Sequence, residues 1–201
     1  MTDVHPALQT IIDRQAITDV LLRYARGADR LDIDCFRSVF WEDGGYEDSV
    51  VEGEAREFIP SLIGDTVRSF FDTTQHFISN VRIDFERADL AFTECYFLAF
   101  HVVPANREAL DAVLGPERMA ELGADYARRY EIFVAGRYLD RFERRRGEWR
   151  VKKRRLVADW TTTAPYSGIG RKGLAALWKL FGTRDRSDPS YPAAERRPHR
   201  S

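Results

Sequence analysis

The chain has 201 residues and a mass of 23.2 kDa, enough for one compact domain with tails. Its 44% hydrophobic, 12% aromatic and 31% charged content excludes wholesale disorder, collagen-like repeats and coiled-coil composition. With 31 basic against 32 acidic residues the net charge is -1, which argues against nucleic acid as a partner held by phosphate neutralisation.

Met1 to Gln9 lacks a basic start followed by an apolar stretch, and no apolar run approaches the ~18 residues that span a bilayer. A cytoplasmic chain that does not enter membranes is expected. Leu8, Ile11, Ile12, Ala16, Val20, Leu21, Tyr24, Ala25 and Ala28 recur at three and four, predicting a helix with one buried face from Leu8 to Ala28. Asp32 or Asp34 can cap a second helix carrying Phe36, Val39 and Phe40 on one face, with Gly44 and Gly45 ending it. Glu54 to Phe71 reads as a third helix bearing Phe58, Leu62 and Val67, broken or kinked at Pro60 and Gly64.

After Asp72 the apolar period changes to two. His76 to Phe85 and Leu90 to Val103 predict a hairpin, as do Tyr130 to Arg144 and Glu148 to Thr162 around Gly147. Between the hairpins, Pro104 to Arg128 reads as a helical excursion. Arg141 to Arg155 holds nine basic residues against two acidic ones, a pattern best explained as the solvated outer face of the second hairpin. Lys172 to Phe181 predicts a short amphipathic helix with Leu174, Leu177, Trp178 and Phe181 on one stripe. Beyond Gly182 a Pro/Arg/Ser-rich tail is expected to be mobile at its end. The layout is α+β: a domain over residues 1–162, with 104–128 inserted, and a C-terminal extension over 163–201.

Cys35 and Cys95 lie 60 residues apart with no second thiol near either, so free buried thiols are expected, not a disulfide framework or a zinc site. Of four histidines, His5 and His199 fall in terminal segments, leaving His76 at the start of one strand and His101 at the end of the next. Asp29 stands where the first helix must turn, with a turn or cap role as the plain alternative, and Asp32 suits an N-cap still better. The helical rotation from Tyr24 to Asp29 is about 140°, so both face one cavity only if the helix loosens before Asp29.

Three stretches carry a resemblance: Ile17 to Tyr24 leading into Gly27-Ala28-Asp29-Arg30; Thr74-Gln75-His76 followed by Asn80-Val81-Arg82; and Arg137 to Arg144 followed by Gly147-Glu148-Trp149-Arg150. In order and spacing the chain, over about residues 8 to 162, resembles the SnoaL-like family of the nuclear-transport-factor-2-like superfamily, whose enzymatic members include dehydratases and a dehydrochlorinase. The resemblance implies a cone-shaped curved antiparallel sheet packed against three N-terminal helices, with an apolar pocket between them. It further implies that Asp29 orients His76 as the base, that Tyr24 and Arg154 assist as donors, and that Tyr46 and His101 contact the substrate; Trp41, read from its own spacing, is a wall or core aromatic and is counted with the substrate contacts as part of the pocket wall. Strand alternation from Trp149 and Val151 would turn Arg154 outward unless a bulge intervenes.

The chemistry so implied is a cofactor-independent lyase, with neither metal nor cofactor, acting on a small apolar aromatic or polycyclic hydroxylated substrate. Water is the expected leaving group, formaldehyde a second. An isomerase with the same base, or a non-catalytic binding or assembly subunit like the small subunits of ring-hydroxylating dioxygenases, is the alternative. A homo-oligomer, dimer or trimer, is also implied, with Lys172 to Phe181 and Pro104 to Arg128 as candidate contacts.

Overall fold

His5 caps the first helix, its Nδ1 accepting from the Ala7 N–H at 3.2 Å, and Pro6 with its fixed φ opens α1 (Pro6–Asp29). The computed structural model describes residues 5–48, 52–168 and 173–192. In it Ile17, Val20, Leu21, Tyr24, Ala25 and Ala28 form the buried face of α1, while Leu8, Ile11 and Ile12 stay at the surface. The helix remains regular through Asp29. It ends because Leu31 takes a left-handed φ of 50° and the Asp32 N–H returns to the Gly27 carbonyl at 2.9 Å. A Cβ on Gly27 would lie 2.7 Å from the Phe36 backbone nitrogen, so glycine is what allows α2 (Ile33–Arg37) to pack so closely.

The second helix is shorter than its apolar spacing predicts. Asp32 does cap it, accepting from the Cys35 N–H at 3.1 Å, but Phe40, Gly44 and Gly45 belong to a strand, β1 (Phe40–Glu47). Phe36, Val39 and Phe40 are all buried, as a helical face requires, yet a turn of helix followed by a strand satisfies the same spacing. The two glycines mark a register shift in that strand instead of a helix end. After β2 (Glu52–Glu54), α3 (Ala55–Ser61), a π-type stretch over Leu62–Val67 and α4 (Arg68–Phe70) follow one another directly. Pro60 cannot donate to the helical ladder, and the irregularity expected there takes the form of the wide π turn that follows.

The sheet contains β3 (Thr73–Arg87), β4 (Leu90–Val103), β5 (Tyr130–Arg145) and β6 (Glu148–Pro165), in the order β2-β1-β6-β5-β4-β3. All neighbours are antiparallel except β1 and β6, which run parallel. The fold is thus α+β, a curved, unclosed six-stranded sheet against N-terminal helices. Bulges set which side chains enter its concave face. One in β3, where Asn80 takes a φ of 48°, follows His76 and Ile78 and brings Ile83 and Phe85 inward. Another in β6 leaves Lys152 unpaired, so that Trp149, Val151 and then Arg154 all point into the core. Gly136 sits where β5 meets β6 most tightly, and a Cβ there would collide with the Val157 carbonyl.

The excursion between β4 and β5 forms α5 (Arg107–Val113) and α6 (Pro116–Glu121), anchored by Leu110 and Met119 against Val103, Tyr130 and Ile132. On the opposite, convex face, Phe77, Leu98, Ala135 and Trp160 stand side by side across four strands, with Phe77 and Trp160 about half exposed. The basic run is neutralised locally: Arg141 and Arg145 pair with Glu143, Lys152 with Asp43, and Lys153 and Arg155 with Glu47.

The C-terminal extension departs from expectation in two ways. Its short helix is a 3₁₀ turn, Gly173–Leu177, with Lys172 outside the described residues, and Leu174, Leu177, Trp178 and Leu180 are exposed. Residues 183–192 pack on the helices, with Asp188 and Tyr191 buried; the end of the expected mobile tail lies outside the described residues. Among the described residues no helix is long and apolar enough to cross a membrane.

Candidate active site

Asp29, the last residue of α1, meets His76 near the start of β3. Its Oδ2 accepts the His76 backbone N–H at 2.9 Å and its Oδ1 contacts His76 Nδ1 at 2.7 Å. Both carboxylate oxygens are thus committed to one residue. Burial alone would raise the Asp29 pKa, but the hydrogen bonds from the His76 ring and backbone outweigh it and hold it below its ordinary value. An ionised Asp29 accepts only, so the proton between the two side chains resides on Nδ1, and in the neutral ring Nε2 carries the lone pair.

His101 stands beside this pair, its ring 5.5 Å from that of His76 and nearly perpendicular to it. Phe71, just after α4, also packs against His101, with ring centroids 4.6 Å apart and planes tilted by 42°. Burial, then the neighbouring His76, pushes the His101 pKa down to about 3, so it is a neutral imidazole at pH 7. Next to it opens a cavity of about 440 Å³, walled by His101, Phe71, Ile132, Val134 and, from the inserted helices, Val113 and Leu114. His76 lies one ring behind that wall.

Tyr24 and Arg154 form a second, deeper cluster. The Arg154 side chain is fully buried and bonds Asp140 twice, Nε to Oδ1 at 2.8 Å and Nη2 to Oδ2 at 2.6 Å. Its guanidinium lies between the rings of Tyr24 and Tyr138, 4.0 and 4.1 Å from their centroids, and its Nη1 has no acceptor among the described residues. Burial raises the pKa of Tyr24 and Tyr138 and keeps both phenols neutral. Burial and then Tyr24 raise that of Tyr46, which packs on Phe58 at 4.7 Å. The bulge at Lys152 brings Arg154 inside, where uninterrupted alternation would have turned it out.

The structure therefore brings Asp29, His76 and His101 together, sets Tyr24, Tyr46 and Arg154 in a deeper layer, and separates Trp41 from both. Because α1 stays regular to Asp29, Tyr24 and Asp29 are directed to different clusters. Trp41 lies outside the cone, where its ring is flanked by Arg145 and Arg150 at 5.0 and 4.9 Å and its indole N–H donates to the Glu143 carbonyl. That placement removes it from the pocket. Asp140, Tyr138 and Phe71 were missed by sequence reasoning. Asp140 had a usable signal, since a hairpin turning at Gly147 brings it opposite Arg154 once the bulge is counted. Among the described residues no group of three or more His, Cys, Asp or Glu is placed to hold a metal ion.

A SnoaL-like domain model matches residues 9–155, and the chain belongs to that family. Solved structures agree on the fold. A hexachlorocyclohexane dehydrochlorinase, LinA type 2, superposes with a TM-score of 0.63 at 20% identity, covering 81% of this chain and 95% of its own. LinA type 3 from Novosphingobium barchaimii gives 0.62 at 20% identity, covering 81% and 96%. A scytalone dehydratase candidate from Novosphingobium aromaticivorans gives 0.61 at 21% identity, covering 83% and 99%. No curated protein matches the chain.

Proposed function

We propose that the protein is a cofactor-independent lyase that removes a proton from a small apolar, aromatic or cyclic, hydroxylated substrate and expels a leaving group. The observation that carries this reading is the double attachment of Asp29 to His76. It fixes the orientation of the ring and places the Nδ1 proton toward Asp29, which leaves Nε2 as the accepting nitrogen that a general base requires. Nε2 takes the proton from a carbon activated by a neighbouring carbonyl or ring. The electron pair left behind forms a double bond, and the adjacent C–O bond breaks. Water is the favoured leaving group: the proton that His76 has taken passes to the departing hydroxyl, which the neutral His101 hydrogen-bonds, so that water leaves and His76 is restored. Arg154 Nη1, which has no acceptor among the described residues, together with Tyr24, would meet negative charge developing on the substrate. Tyr46 would line the same inner wall.

The test is to incubate wild type and His76→Ala with aryl and polycyclic alcohols, 1,3-diols and β-hydroxy ketones, following product mass and ultraviolet absorbance. A conjugated product from wild type alone is expected, and its mass tells loss of water from loss of formaldehyde. Equal product from both proteins would overturn the assignment of His76. We further propose a homo-oligomer, dimer or trimer, that covers the convex row Phe77, Leu98, Ala135 and Trp160. Light scattering should then give a mass above the 23.2 kDa of one chain; a monomer at micromolar concentration would refute it.

A further inference from the structure

Residues beyond the family's matched region reach this site. After Gly182 the chain turns back as a strap whose Thr183 N–H donates to Asp188 Oδ2 at 2.8 Å, while Asp188 ion-pairs with Arg30 at 3.5 Å. Farther on, the buried Tyr191 hydroxyl donates to Asp32 Oδ2 at 2.8 Å, and Arg186 donates to Asp32 Oδ1 at 3.2 Å. This end of the strap is fastened to the turn that follows Asp29. At its other end Arg184 donates through Nη1 to the Phe71 carbonyl and through Nη2 to the Val67 carbonyl, at 3.1 Å for the latter. Those carbonyls close the helical arm that ends at Phe71, the residue whose ring lies on His101. The strap thus joins the two walls that flank the Asp29–His76 pair.

We propose that Arg184 is a positioning residue of the Asp29–His76–His101 site: by gripping the carbonyls of Val67 and Phe71 it seats the Phe71 ring on His101 and closes the wall beside the His76–Asp29 pair. This deepens the catalytic reading of that site and rests on it, but its test needs no turnover. A plain helix-end tether would require only the two carbonyl contacts. Arg184 also bears on the protonation of the site, for its Nε is buried with no acceptor among the described residues and its charge acts on both Asp29 and His101. Burial lowers its own pKa to about 10, leaving it charged at neutral pH. The ionisable groups facing His101 are His76 from β3, Asp29 from α1, Arg184 from the strap and, across the cavity, Arg118 from α6. Burial and His76 are the larger causes of its lowered pKa, and Arg184 adds to them in the same direction.

The experiment is a proton NMR titration of the histidine ring resonances in the full chain, comparing wild type, Arg184→Met and Arg184→Lys. In Arg184→Met the His101 resonances should lose the ring-current shift from Phe71, and the His101 midpoint should rise. Arg184→Lys keeps the charge but cannot hold both carbonyls in a fork. It should lose ring-current shift while keeping its midpoint near that of wild type. Unchanged His101 shifts and midpoint in Arg184→Met, with only thermal stability lowered, would reduce Arg184 to a tether and overturn the proposal. Should Arg184→Met fail to fold, an undiminished ring-current shift in Arg184→Lys overturns it equally. Absence of a product in the lyase assay together with the NMR changes would count against the proposed chemistry and not against the contact.

Discussion

Replacing Asp29 by asparagine should lower turnover by about 10² to 10⁴-fold while leaving the fold intact, the range expected when an oriented general base is lost. The reason is the direction of two hydrogen bonds. Asp29 accepts from both the backbone N–H and the ring of His76. An amide has one accepting oxygen, and with that oxygen kept on the backbone N–H, its NH₂ group faces Nδ1 and forces the imidazole proton to Nε2. The base would then carry a proton on the atom meant to receive one. Steady-state rates with the substrate found in the product screen check this, and the Asp29→Asn/His76→Ala double variant should be no slower than His76→Ala alone. Additive losses would mean that the two residues act separately. Stability has a matching sign. Because the folded-state pKa of Asp29 lies below its unfolded value, the carboxylate's contribution is complete at neutral pH and disappears as pH falls through the lowered value. Asp29→Asn should lack that acid-side loss.

Asp140→Ala should destabilise the protein by about 3–5 kcal/mol in urea denaturation, because it strands a buried guanidinium without its counter-charge. Arg154 has no exposed side-chain surface and, among the described residues, no second carboxylate partner, and its guanidinium lies against the faces of Tyr24 and Tyr138. Moving the guanidinium to water would require opening the core, so the penalty cannot be relieved by a side-chain swing. Asp140→Leu combined with Arg154→Met removes both charges and keeps the volume filled. It should regain most of the lost stability. Should the double variant be as unstable as Asp140→Ala, packing and not the stranded charge would be the cause.

The periodic parts of the chain were legible because one principle governs them. The α1 stripe, the two hairpins and the helical insertion each bury a single face, and their spacing states it directly. Reading failed where two elements share one spacing, as with Phe36, Val39 and Phe40, and where one extra residue changes a strand's parity, as at Lys152. Parity could not settle Arg154; its place follows from the register against Asp140. The pairing of Asp29 with His76 was suggested by resemblance, since two residues so far apart in the chain have no local pattern in common. Trp41 was misplaced because an aromatic residue suits a pocket wall and an arginine-flanked outer surface equally well. The strap was unreadable from composition: Pro, Arg and Ser suggest mobility, whereas Asp188 and Tyr191 fasten it through buried hydrogen bonds.

The Asp29–His76 contact joins the end of the first helix to a strand near the far edge of the sheet, 47 residues later. Neither residue meets the other through any local structure, so a nascent or partly assembled chain holds no oriented base. Reactive power in this molecule would arise only when the helix seats on the finished sheet. During refolding, recovery of turnover should coincide with the last cooperative step and could serve as a reporter of native assembly.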